Sequence, residues 1–222
     1  MRLLFYLTGL VLFLVFCLCL PLKAKKLEYH RVRWVIDGDT IVLDNGTKVR
    51  YASINTPEIA HEGKPGEPYG KTAWRANKKL VKGREVLLEL AEQPRDRYGR
   101  LLAYVFLPGR DMVQERLVSM GLAFVCYEPP NLKYYKRLLK VQRRAMSRYR
   151  GLWSAQEYLG GEPFYLGNRR SKRFHRPSCP HGRRTSPRNR VIFNTMKQAF
   201  RDGYCPCHKC RPWPGRRHGK RR

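Results

Sequence analysis

Apolar positions change their spacing several times along this chain. From Leu3 to Leu20 they dominate a run without a charge, "LLFYLTGLVLFLVFCLCL". A bilayer-crossing helix needs about 20 such residues, whereas a signal-peptide core has about 7–15. The run therefore predicts a membrane anchor or signal segment over residues 1–26. Leu22, two residues before Ala24, spoils a small-residue cleavage pattern and favours the uncleaved anchor. From Tyr29 the pattern alternates, and the Asp37-Gly38-Asp39 and Asp44-Asn45-Gly46 turns divide it into three strands. Ala73, Trp74, Ala76, Asn77, Leu80 and Val81 fall at helical spacing, stopped by Gly83. "REVLLEL" and "LLAYVFL" read as strands around the loop "AEQPRDRYGR", followed by a short helix from Asp111 to Gly121. "LAFVCY" reads as a strand, and "NLKYYKRLLKVQRRAMSRY" as a longer helix. Many short strands with a helix inserted among them predict an α+β domain over 27–158, a five-stranded OB-type barrel with three helices.

Past Trp153 the pattern fades. "GGEPFYLGN" opens like a linker, assigned to 159–163, before a small arginine-rich module over 164–212 and a basic tail over 213–222. Charge explains what such a chain meets. The 222 residues carry 46 Lys+Arg against 17 Asp+Glu, a formal net charge of +29. That surplus exceeds solubility needs and implies a polyanionic partner, nucleic acid or an acidic membrane surface. The three lysines after the apolar run favour a cytoplasmic C-terminal side. The chemistry below favours an extracytoplasmic one.

Phosphodiester hydrolysis needs a base or positioned water, positive charge on the crowded phosphorus and relief of charge on the leaving oxygen. Arginine suits the second task because its fork binds two phosphate oxygens and keeps its charge. Arg50 and Arg100 offer such groups from separate loops. Glu58 is a carboxylate able to orient or deprotonate water, and Asp39 a candidate ligand for a hard cation.

"VIDGDTI", "VRYASINTPE", "PYGKTAW", "DRYGRLLAYVF" and "LVSMGLAFV" together resemble the thermonuclease, or staphylococcal-nuclease-like, family over about Arg31 to Ser154. The resemblance implies the OB-type barrel and cleavage of DNA and RNA with little sequence preference. It gives Arg50 and Arg100 the phosphate-binding roles and Glu58 that of general base. It makes Asp39, Asn55 and the Thr56 carbonyl the calcium site. Arg97 and Tyr98 match residues that touch a bound nucleotide's phosphate, and Tyr127 one near its base or sugar; both tyrosines could equally be packing aromatics. Asn55 departs from the family, standing where its best-known members carry a second aspartate. Charge count tunes calcium affinity, so the departure implies weak binding of Ca²⁺, in the millimolar range. Some barrels of this family have lost catalysis, so a noncatalytic nucleic-acid-binding protein anchored at a membrane is the alternative. Retention of Arg50, Glu58 and Arg100 together speaks against it.

Seven cysteines are unevenly spread, four of them near the C-terminus. His175-x3-Cys179 with Cys207-x2-Cys210 supplies two close ligand pairs, the set a structural tetrahedral Zn²⁺ requires. Cys205, His181 and His208 are rival ligands, and Cys126 reads as a small core residue. Phe164 to Pro212 is similar to the metal-binding domain of Ada-type alkylation-repair proteins, in which four cysteines bind zinc and the first accepts methyl groups. His175 occupies that first position, so the likeness implies a structural or DNA-binding module without methyl transfer.

Overall fold

The computed structural model describes residues 29–60, 63, 65–154 and 161–212. The apolar segment Leu3–Leu20, part of the expected linker and the basic tail lie outside these residues. No helix among the described residues is long and apolar enough to cross a membrane.

Strands β1 (Tyr29–Val35), β2 (Thr40–Leu43) and β3 (Lys48–Tyr51) form an antiparallel meander. Gly46 turns its second hairpin at φ +82°, and the Asn45 side chain accepts the Thr47 N–H. A shift of register between Val32 and Trp34 sends Val32 and Val35 into the core and leaves Trp34 half exposed, with Lys82 over its ring. β4 (Ile54–Asn55) and the following loop lead to helix α1 (Gly70–Val81), which buries Ala73, Asn77 and Val81. β5 (Glu85–Arg95) pairs with β1 and with β6 (Leu101–Leu107), and β6 lies parallel to β3. That last pairing closes a five-stranded barrel, as the pattern of short strands predicts.

Three boundaries differ from expectation. β5 runs on to Arg95, because Arg95 pairs with Leu101 across a turn whose N–H groups the Asp96 carboxylate accepts. Asp111 and Met112 form β7 against β6, so helix α2 starts only at Val113 and runs to Ser119. The expected strand "LAFVCY" shrinks to β8 (Phe124–Val125), since β4 offers only two partners. Helix α3 (Tyr135–Ser147) completes the trio beside the barrel.

The second unit is a four-stranded sheet in the order β11 (Arg190–Phe193), β9 (Tyr165–Asn168), β10 (Arg173–His175), β12 (Cys205–Pro206). Helices α4 (Pro180–Arg183) and α5 (Met196–Arg201) flank it, the latter capped by Thr195, which accepts the Gln198 N–H. The unit does not hang free. Phe124, Met146 and Trp153 of the first unit share one apolar cluster with Phe174, Phe193 and Phe200 of the second. Buried Gln142 on α3 accepts the Val125 N–H and donates to the Phe200 carbonyl, both at 2.7 Å. Cys126 is buried as expected, but it is not merely a core residue: it forms a disulfide with Cys205, 79 residues on. The second unit is thereby fixed against the rim of the barrel.

Candidate active site and metal centre

The Asp37-Gly38-Asp39 turn lies flat against its neighbours. A Cβ on Gly38 would stand 2.5 Å from Thr56 Oγ1 and 2.9 Å from Ala73 Cβ, so only glycine lets the turn reach the 54–58 loop. Tyr51 donates to Asn77, and Asn77 donates to the Asp37 carbonyl, locking α1 to the same turn. Asp39, 4% exposed, thereby accepts the Thr56 N–H at 3.0 Å and pairs with Arg50 Nη1 at 2.6 Å. Arg50 Nη2 reaches Asn55 Oδ1 at 2.8 Å, and Asn55 Nδ2 donates to the Thr56 carbonyl at 3.2 Å. Arg50, Asp39, Asn55 and Thr56, separated in sequence, are thus one constellation.

Its electrostatics are tense. Burial lifts the Asp37 carboxyl to about 7, the charges of Asp39 and Glu58 add to the rise, and the Asp39 N–H opposes it. Burial works against the charge of Arg50, yet Asp39, then Glu128 and Asp37, hold its pKa above the usual value. The Asp39 carboxylate, Asn55 amide oxygen and Thr56 carbonyl form a hard oxygen set beside the raised Asp37 carboxyl, and a Ca²⁺-like ion fits those donors. Asn55 contributes an oxygen without a charge and occupies the Thr56 carbonyl with its own NH₂.

Glu58 is exposed on the loop that follows. Its backbone is pinned, because its N–H donates to the Glu67 side chain and its carbonyl accepts the Glu67 N–H. Gly70 presses so closely on that carbonyl that a Cβ would lie 2.2 Å away. Arg100 is held by Asp96, with Nε and Nη2 both at 2.8 Å from Oδ2. Arg97 and Arg100 stand over the exposed Tyr98 ring, at 4.7 and 5.6 Å from its centre. This cation-and-aromatic rim suits phosphates and stacked bases. Tyr127 instead packs edge-on against Tyr135 at 5.3 Å.

Sequence reasoning missed Glu128. Burial raises its pKa, and Arg50, Arg173 and Arg100 oppose the rise, so this carboxylate links both candidate phosphate-binding arginines to the second unit. Arg173 lies 3.7 Å from it. Its only sequence signal was an acid next to Tyr127 on an otherwise basic surface. A cleft opens beside the constellation, with Asn55, Glu58 and Glu67 on the barrel side and Cys207, His208 and Arg211 on the other. Neither His208 nor Arg211 was expected there.

Beyond the cleft lies the metal cluster. The ligand atoms of His175, Cys179, Cys207 and Cys210 all lie within 4.8 Å of one another. His175 Nδ1 and Cys179 Sγ are 3.5 Å apart, against about 3.6 Å expected for tetrahedral zinc bonds of usual length. A hydrogen bond from Cys210 draws the Cys207 thiol well below its ordinary value, toward the thiolate that ligation needs. These four donors fit Zn²⁺ and leave no protein position open. The rival ligands are elsewhere: Cys205 is in its disulfide, while His181 and His208 are exposed.

A closed small barrel with arginines and a carboxylate at its rim, joined to a Cys₃His knuckle, defines a nuclease carrying a zinc module. The comparisons agree. Residues 48–155 match the family model described as staphylococcal nuclease homologue, and residues 155–212 that of the metal binding domain of Ada. The chain is 40% identical over 135 residues to the thermonuclease of Staphylococcus hyicus, covering 60% of this chain and 79% of that one. It is 39% identical over 129 residues to the thermonuclease of Staphylococcus intermedius, covering 57% and 76%. Against the endonuclease YncB of Bacillus subtilis (strain 168) the figures are 41% over 145 residues, 63% and 68%. The chain belongs to the staphylococcal nuclease homologue family and is a phosphodiester-hydrolysing nuclease.

Proposed function

We propose that this chain is a Ca²⁺-dependent, sugar-nonspecific nuclease acting outside the cytoplasm, tethered or exported through residues 3–20. The observation that carries the site is the meeting of Arg50 with Asp39, Asn55 and Thr56 at the edge of the cleft that Glu58 lines. Glu58 orients and deprotonates the attacking water; being exposed, it keeps the access to solvent that supplies that water. Arg50 and Arg100 neutralise charge accumulating on the phosphoryl oxygens. Their present partners, Asp39 and Asp96, keep both guanidinium groups aligned in the absence of substrate. Arg97 and Tyr98 hold the flanking strand, and Tyr127, through its packing on Tyr135, shapes the floor near the base. Asp39, Asn55 and the Thr56 carbonyl would hold Ca²⁺, which supplies Lewis-acid polarisation of a phosphoryl oxygen. The second unit adds a basic, zinc-stabilised surface for nucleic acid.

Two features support an extracytoplasmic setting. A weak calcium site is useful where calcium is millimolar, and the Cys126–Cys205 disulfide persists in an oxidising compartment. The test is plasmid cleavage by the full chain and by Glu58→Gln and Arg100→Ala, with added Ca²⁺ or with a chelator. Each substitution is expected to lower turnover by about 10²–10⁴. Cleavage undiminished in Glu58→Gln, or undiminished by chelation, refutes the reading.

A further inference from the structure

The zinc module does more in this fold than add charge at a distance. Its Cys207-to-Arg211 segment faces Asn55 and Glu58 across the cleft. A phosphate entering there meets the carboxylates of Glu58 and Glu67 on one side. On the barrel side, Arg50 is already engaged by Asp39 and Arg100 by Asp96. The opposite wall carries His208 and Arg211, and among the described residues no ion pair engages the Arg211 side chain. We propose that the zinc knuckle is the second wall of the nuclease cleft, and that Arg211, with His208, binds the phosphodiester backbone of the strand lying against Glu58.

The wall is built to stay in place. The Arg211 N–H donates to the Cys207 carbonyl at 2.9 Å, and its own carbonyl accepts from Arg176 Nη2 at 3.2 Å. Arg176 also donates to the Cys210 carbonyl and pairs with Glu162. These bonds hold Arg211 at φ +39°, a left-handed backbone that a side-chain-bearing residue adopts only where its surroundings impose it. Cys207 and Cys210 bracket His208 and adjoin Arg211, so metal ligation sets the position of both side chains. The shared apolar cluster, Gln142 and the disulfide then fix the knuckle relative to Glu58. Zinc, structural in its coordination, thereby acts on substrate affinity through the shape of the cleft.

This inference rests on the nuclease reading above, and its test separates the two. The full chain is loaded with zinc and compared with Arg211→Ala, Arg211→Lys and His208→Ala/Arg211→Ala, with Lys79→Ala on the exposed face of α1 as a control for the loss of one surface charge. Zinc content is measured for each, and binding of a short fluorescein-labelled oligothymidylate is followed by anisotropy in calcium chelator, alongside KM and kcat in Ca²⁺. Arg211→Ala is expected to weaken oligonucleotide binding and raise KM about tenfold, with kcat within about twofold. Arg211→Lys recovers most of the loss, the double variant loses more, and Lys79→Ala changes binding less than about twofold. Stripping zinc weakens binding by a similar factor, and Arg211→Ala then adds little further loss. Binding and KM of zinc-loaded Arg211→Ala and of the double variant equal to the parent's would overturn the proposal. A parent that binds but does not cleave refutes the nuclease reading and leaves the wall to be decided by anisotropy. A parent that does neither refutes both.

Discussion

Asn55 accepts a hydrogen bond from Arg50 at 2.8 Å where the family resemblance predicts a carboxylate. The same amide donates to the Thr56 carbonyl, one of the oxygens the cation would use. Asn55 therefore opposes cation binding twice, by a missing negative charge and by a competing donor. A unit charge at about 4 Å is worth roughly 4 kcal/mol at an effective dielectric of 20, before solvation offsets it. Asn55→Asp should lower the Ca²⁺ concentration for half-maximal cleavage by about tenfold or more. Titration of cleavage against Ca²⁺ checks it; half-saturation of the natural chain at low micromolar Ca²⁺ would show that the amide imposes no handicap.

Gln142 satisfies one backbone group from each unit, the Val125 N–H and the Phe200 carbonyl, at a fully buried position. Leucine there fills similar volume and strands the Val125 N–H at a cost of about 1–3 kcal/mol, while the Phe200 carbonyl keeps the Gly203 N–H. Gln142→Leu should lower stability by about 1–3 kcal/mol in urea denaturation. Because the two bonds of Gln142 span the units, the loss should appear in one transition for the whole chain. Two separated transitions in the natural protein would argue that the shared cluster does not couple the units.

The Cys126–Cys205 bond closes a loop of 79 residues across both units. Loop-closure entropy alone assigns such a crosslink about 4–5 kcal/mol. Cys126→Ala/Cys205→Ala should unfold at correspondingly lower denaturant yet keep its zinc, since neither cysteine belongs to the His175, Cys179, Cys207, Cys210 cluster. Loss of bound zinc in that variant would show instead that the disulfide holds the ligands together.

The barrel was legible in the sequence because its signals are local: alternation in β1–β3, Asn45-Gly46 at a hairpin, Ala73, Asn77 and Val81 on one helical face. The grouping of His175, Cys179, Cys207 and Cys210 was legible through their spacing. What escaped was set by tertiary packing. Cys126 looks like any small residue in a short apolar strand, and only the docking of the second unit brings Cys205 to it. Glu128 has meaning only where Arg50 and Arg173 approach it from two units. His208 reads as a rival zinc ligand because linear distance to Cys207 cannot tell which side of the knuckle it faces. Strand ends failed for the same reason: β5 extends to Arg95 because a partner exists there, not because "AEQPR" prefers extension.

Asp37 gives a pH signature of its own. Burial, with the charges of Asp39 and Glu58, raises its carboxyl from the ordinary 3.8 to about 7 in the folded chain. Between those values the folded state holds a proton that the unfolded state has released. Stability rises with pH only where the unfolded state binds more protons, so here it falls. The contribution is complete below pH about 4 and is lost as pH rises through about 7. In calcium chelator, the unfolding free energy should therefore decline across that window, and Asp37→Asn should flatten the decline. Added Ca²⁺ should oppose it, because a cation at Asp39 and Thr56 favours the ionised form of the neighbouring carboxyl. Urea denaturation at a series of pH values, with chelator and with Ca²⁺, provides the measurement. An identical pH slope in Asp37→Asn and the natural chain would remove Asp37 from the account.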